Sequence, residues 1–78
     1  MSRYTVLIYR DEDAYSVTVP ALPGCVTWGA TLDEAVSSAR EAISGHIAAL
    51  RTTGQEVPEE ETPVVVTIEL VTEAPAVT

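Results

Sequence analysis

No lysine stands anywhere in these 78 residues, and four arginines face 12 aspartates and glutamates, for a formal net charge of −8. A chain so charged repels phosphate backbones, which disfavours direct binding to nucleic acid. The same charge keeps a protein soluble and speeds its encounter with a basic partner. The single cysteine, Cys25, excludes an internal disulfide. The single histidine, His46, leaves one candidate base for a thiol nucleophile. No apolar run is long enough to cross a bilayer, and neither a basic-then-apolar leader nor a prenylation motif is seen. The expected setting is cytoplasmic, away from membranes and without a cofactor. The length allows one small domain, which buries only ~60% of its unfolded surface. Domains of this size often gain stability by oligomerising.

What is present is strongly patterned. Tyr4 to Tyr9, "YTVLIY", is β-branched and aromatic and reads as a first strand. Asp11, Glu12 and Asp13 suit a tight, solvated turn. Tyr15 to Val19, "YSVTV", alternates strictly, with Tyr15, Val17 and Val19 on one face and Ser16 and Thr18 on the other. The two strands read as an antiparallel hairpin. "PALPGC", Pro20 to Cys25, then ends the second strand. Its prolines cannot donate to a ladder, and Gly24 frees the backbone to turn. Cys25 to Trp28, "CVTW", is a short third strand stopped by Gly29.

A long helix follows. Thr31 and Glu34 have capping-box spacing. Leu32, Val36, Ala39, Ile43, Ile47 and Leu50 form one apolar stripe, and Ala35 and Ala42 widen it with small residues that permit close approach to a sheet. Gly54 suits a left-handed stop. After a polar connection, Val64 to Leu70, "VVVTIEL", alternates again and reads as a last strand. Residues 71–78 have too little to bury and are expected to fray.

The expected fold is therefore α+β, a two-layer β-β-β-α-β unit over residues 1–70. One long helix packs on a four-stranded mixed sheet of order 3-2-1-4, with strand four brought in by a right-handed crossover. The sheet face away from the helix would show Thr5, Leu7, Tyr9, Ser16, Thr18, Val65 and Thr67. Leu7, Tyr9 and Val65 on that face are candidates for an oligomer interface.

Few residues invite chemistry. Cys25 as a nucleophile would need a base and a lowered pKa, and the only histidine lies late on the helix. A packed, small apolar cysteine is the simpler reading. The Asp11–Asp13 run could be a solvated turn, a partner contact or a cation site, but it lacks the glycine and glutamate of a calcium loop. Turn chemistry alone accounts for "PALPGC". The first strand carries no acid for two-metal hydrolysis.

The order of these elements resembles one family. An acidic turn, an aromatic-led strand, "LPGC" with a glycine four residues on, "TLDEA" with "EAI" following, and "GQEVPEE" before a final alternating run are similar to HicB antitoxins from about Tyr4 to Leu70. The resemblance implies a cut-down RNase H-like fold without nuclease activity. It implies binding to a HicA toxin, a small basic ribonuclease, whose active site the antitoxin covers. Asp11, Glu12, Asp13, Tyr15, Leu22, Pro23, Gly24 and Cys25 are the partner-binding candidates that it suggests. Many family members add a C-terminal DNA-binding module; none is seen here, which leaves autorepression open. Two expectations stand: an antitoxin, or a HicB-like oligomeric binding domain, dimer or tetramer, with another partner.

Overall fold

The computed structural model describes residues 2–60 and 62–72. Three strands and one helix follow in order: β1 (Leu7–Asp11), β2 (Ala14–Thr18), β3 (Val26–Gly29) and α1 (Leu32–Thr52). The sheet is an antiparallel meander of order β1-β2-β3, with β2 in the middle. The α+β class stands, and so does the neighbour order of the first three strands.

The fourth strand does not. The sheet has three strands, so the four-stranded order 3-2-1-4 is corrected to β1-β2-β3. Val64–Leu70 joins no strand among the described residues, and its large side chains stand in solvent. The reason lies in the connection. Tyr4 Oη donates to the Pro58 carbonyl (2.6 Å), and Thr5 N–H donates to Glu60 Oε1 (3.0 Å). Thr5 Oγ1 also donates to Glu60 Oε2. The returning chain is thus pinned side-on to the lead-in of β1, and Pro63 follows the pin. Val65 accordingly does not share a face with Leu7 and Tyr9. Of the tail expected to fray, residues 73–78 lie outside the described residues.

β1 also starts later than Tyr4. Its ladder begins with Leu7 opposite Thr18, because the next residue of the middle chain, Val19, has already left for the turn. Val19 N–H bonds to the Cys25 carbonyl (3.2 Å), Leu22 N–H to Val19 (3.0 Å) and Cys25 N–H to Leu22 (2.9 Å). These are two β-turns sharing Leu22, each with a proline at its second position. Gly24, at φ +85°, occupies the third position of the second turn, where a type II turn requires a left-handed residue. The loop therefore folds Leu22 inward, to 0% exposure.

The helix begins with a complete capping box. Glu34 N–H donates to Thr31 Oγ1, and Thr31 N–H donates to Glu34 Oε2, both at 3.1 Å. It ends in a Schellman motif: Gly54 at φ +74°, its N–H on the Arg51 carbonyl (3.1 Å), and Gln55 N–H on Leu50 (2.8 Å). The buried centre of the helix is narrower than the expected stripe. Ala35 and Ala39 face the sheet, while Leu32 and Val36 flank the contact and are 52% and 44% exposed. The cause is Gly29: a Cβ there would lie 2.3 Å from the Ala35 backbone nitrogen. Backbone meets backbone at this point, so only small residues fit between.

Two clusters form the core. Val17, Ala35 and Ala39 make one, with Val6, Ile8 and Tyr15 against it. Val19, Leu22 and Cys25 make the other, under Tyr4, Ala42, Ile43, Ile47 and Leu50. No helix among the described residues is long and apolar enough to cross a membrane.

Candidate sheet-face docking site

The ladder register decides which side chains share the uncovered face. Tyr9 stands opposite Ser16, and Ser16 opposite Trp28. Leu7 stands opposite Thr18, and Thr18 opposite Val26. Directly paired residues point to the same side of a sheet, and Val17, between Ser16 and Thr18, points into the helix layer. The open face therefore carries two rows, Tyr9–Ser16–Trp28 and Leu7–Thr18–Val26. Small hydroxyl residues floor its centre, and aromatic and aliphatic side chains wall it. The two outer strands lie about 10 Å apart across β2 at the usual strand spacing. Tyr9, Trp28 and Val26 are 57%, 64% and 65% exposed.

Large apolar side chains grouped on one rigid face are unusual on a monomer surface and suit contact with another macromolecule. Tyr and Trp are well fitted to such contacts, offering wide apolar area with a polar tip. The β1–β2 turn adds charge at one end. Asp11 pairs with Ala14, leaving Glu12 and Asp13 as a two-residue turn, and all three acids are exposed. Glu12 sits in the left-handed region (φ 52°), which a side chain with a Cβ rarely adopts. The turn also borders a shallow cleft of about 250 Å³ formed with Arg10, Tyr15 and the start of α1.

The partner-binding candidates from the sequence do not form one site. Asp11, Glu12 and Asp13 lie at one end of β2. Pro23 and Gly24 are exposed beyond the other end, about 17 Å away along the five residues of the strand. Tyr15 is half-buried on the helix side. Leu22 and Cys25 lie in the core. Burial pushes the Cys25 thiol up from its ordinary range, so it holds its proton, the reverse of an activated nucleophile. Of the oligomer candidates, Leu7 and Tyr9 share the open face and Val65 does not. Among the described residues no group of three His, Cys, Asp or Glu could hold a metal ion.

Val26 and Trp28 were not among the candidates. A signal for them was present: if Cys25 packs inward, strict alternation sends Val26 and Trp28 outward.

Together the fold and this face define a small two-layer α+β domain presenting an acid-rimmed aromatic sheet surface. Comparison with known proteins gives the family. The chain matches the HicB-like antitoxin of bacterial toxin-antitoxin systems over residues 4–75. It superposes on the N-terminal domain of the Burkholderia pseudomallei antitoxin HicB with a TM-score of 0.65 and 38% identity, covering 80% of this chain and 72% of that one. It is 46% identical over 59 residues to a UPF0150 protein of Thermoplasma acidophilum, across 74% of this chain and 86% of the relative. An uncharacterized 14.9 kDa protein of Haemophilus phage HP1 is 43% identical over 56 residues, which are 72% of this chain but 42% of the phage protein. This chain belongs to the HicB-like antitoxin family.

Proposed function

We propose that this protein neutralises a small basic HicA-like ribonuclease by covering its active site, performs no catalysis itself, and acts as a homo-oligomer in the cytoplasm. The observation that carries the reading is the open Tyr9–Ser16–Trp28 face with an acidic turn at its rim, in a chain of net charge −8. A toxin that binds RNA presents a positive surface around its active site. An acidic partner is steered to that surface, and exposed aromatics then provide the short-range affinity. The Asp11–Asp13 turn supplies steering, while Tyr9 and Trp28 anchor.

The test is inhibition of RNA cleavage by a separately purified small basic ribonuclease of the HicA kind. Wild type should abolish cleavage at equimolar ratio. Tyr9→Ala with Trp28→Ala should weaken inhibition by about 30-fold or more, as expected for losing two aromatic anchors. Replacing Asp11, Glu12 and Asp13 by Asn, Gln and Asn should slow association and flatten its salt dependence. Full inhibition by the aromatic variant would remove the sheet face from the contact.

A second reading, a HicB-like oligomeric module serving another partner, draws on the exposed apolar Val64–Val71 segment, which toxin binding through the sheet face leaves unexplained. Wild type that fails to inhibit would favour it.

A further inference from the structure

Residues 64–71 form an apolar arm without a surface to lie on. Val64, Val65, Val66, Ile68, Leu70 and Val71 are 69 to 93% exposed. The radius of gyration is 16.8 Å and the longest extent 59 Å. A compact chain of this length would have a radius near about 11.5 Å. Exposing so much contiguous apolar area is costly in water, and soluble monomers rarely do so.

The same molecule also carries an unfilled apolar cleft. It lies between the lead-in of β1 and the flank of α1, holds about 400 Å³, and is walled by Tyr4, Val6, Val36, Ala39, Ile43 and Ile47. Among the described residues β1 pairs only with β2, and the cleft adjoins the lead-in to β1 at Tyr4 and Val6. Arg40 stands at its rim, one of four cations in an otherwise acidic chain.

We propose that the arm of one copy lies in the cleft of a second copy, and reciprocally, so that two chains close a symmetric dimer by exchanging residues 64–71. This deepens the self-association proposed above and rests on it, but it does not depend on the toxin. Three observations converge. The arm alternates, so Val64, Val66, Ile68 and Leu70 present one apolar edge. Its eight residues reach about 26 Å when extended. The helical wall of the cleft, from Val36 to Ile47, is about 17 Å long at 1.5 Å per residue, so the arm covers it. Finally, the arm's root is pinned to Tyr4 and Thr5, and Tyr4 is itself a wall of the cleft. Two copies meeting by a two-fold axis on this side place each root beside the other's cleft, which is the self-complementary arrangement of an isologous interface.

Sedimentation velocity and light scattering test this on the full chain, across about 1 to 100 µM, a range that brackets a micromolar dissociation constant. Wild type should reach twice the 8.3 kDa mass. Val66→Asp with Ile68→Asp on the arm should raise the dissociation constant at least about a hundredfold while leaving circular dichroism and melting unchanged. Val36→Asp, on the exposed flank of the cleft, should weaken the dimer as well. Mixing the arm variant with the cleft variant should restore dimer, since one intact arm then meets one intact cleft. Monomeric wild type at every concentration would overturn self-association itself. Dimeric wild type whose arm variant dimerises equally would keep self-association and overturn arm exchange. Failure of the mixture to recover any dimer would also overturn the arm-to-cleft pairing.

Discussion

Ala14–Thr18 and Val64–Leu70 carry the same alternation of apolar and polar residues, yet Val17 is 1% exposed and Ile68 is 74% exposed. The first segment is flanked on both sides by strands that short turns bring back at once. The second follows a long polar connection that is pinned to the lead-in of β1 before the alternation begins. Alternation records that a segment has an apolar face to bury. Whether that face is buried, and against what, depends on the connection that delivers it.

The largest expected contrast comes from matched truncations. Leu22→Ala should cost about 3–5 kcal/mol, because the side chain is fully enclosed and the double turn around it resists collapse. Leu70→Ala should change the stability of the monomer by less than about 0.5 kcal/mol. Urea denaturation of both, at concentrations where the chain is monomeric, checks this; equal effects would show the arm to be part of the fold. Next comes Gly29→Ala, whose added methyl must displace the backbone of Ala35, for a loss of about 1–3 kcal/mol. Thermal melting reads it, and a neutral result would mean that the helix does not sit so close to β3. Thr31→Ala should cost about 1 kcal/mol through loss of one half of the capping box.

The smallest effect concerns the arm's root. Hydrogen bonds from the Thr5 side chain and backbone hold the Glu60 carboxyl below its ordinary range, with a lesser pull from Arg3. A carboxylate whose pKa is depressed on folding adds stability above its unfolded pKa and loses it as pH falls through the folded value. Acidification should therefore release the root before the core opens. The Thr5 amide resonance, followed by NMR from neutral to acid pH, should titrate with a midpoint below that of an ordinary glutamate. In Glu60→Gln the pH dependence should vanish. A Thr5 signal indifferent to pH would mean that the root is not held this way in solution.

Much of the body was legible because its signals are local. Thr31 and Glu34 mark the helix start by spacing alone, Gly54 marks its end, and the acidic turn joins two strands too close to do anything but pair. Trp28 and Val26 were legible only through Cys25, whose inward packing sets their phase. The helix stripe was legible through Ala35, Ala39, Ala42, Ile43, Ile47 and Leu50, which meet the two core clusters, but its first large residues, Leu32 and Val36, are half exposed. Gly29 brings the strand against the backbone of Ala35, so the small residues take the centre of the contact. The arm could not be placed from its own residues, because its fate is decided at Tyr4 and Thr5, more than fifty positions earlier.

The double turn from Val19 to Cys25 explains why the exposed and buried roles of that loop divide as they do. Leu22 and Cys25 are shared by turn and core, so the loop cannot open toward a partner without emptying the second cluster. The open face of the strands, with its Tyr9–Ser16–Trp28 and Leu7–Thr18–Val26 rows, is free of that constraint.

The clamp at the arm's root also has a place in time. Tyr4–Pro58 and Thr5–Glu60 join residues 54 and 55 apart, whereas the meander and the helix form from neighbours that succeed one another along the chain. Local pairings close small loops and form early; a contact of such separation must wait for everything between. On a ribosome the residues of the sheet and helix are made before Glu60, so their local pairings can start without it. In order of synthesis, residues 64–71 thus follow a core that is assembled without them.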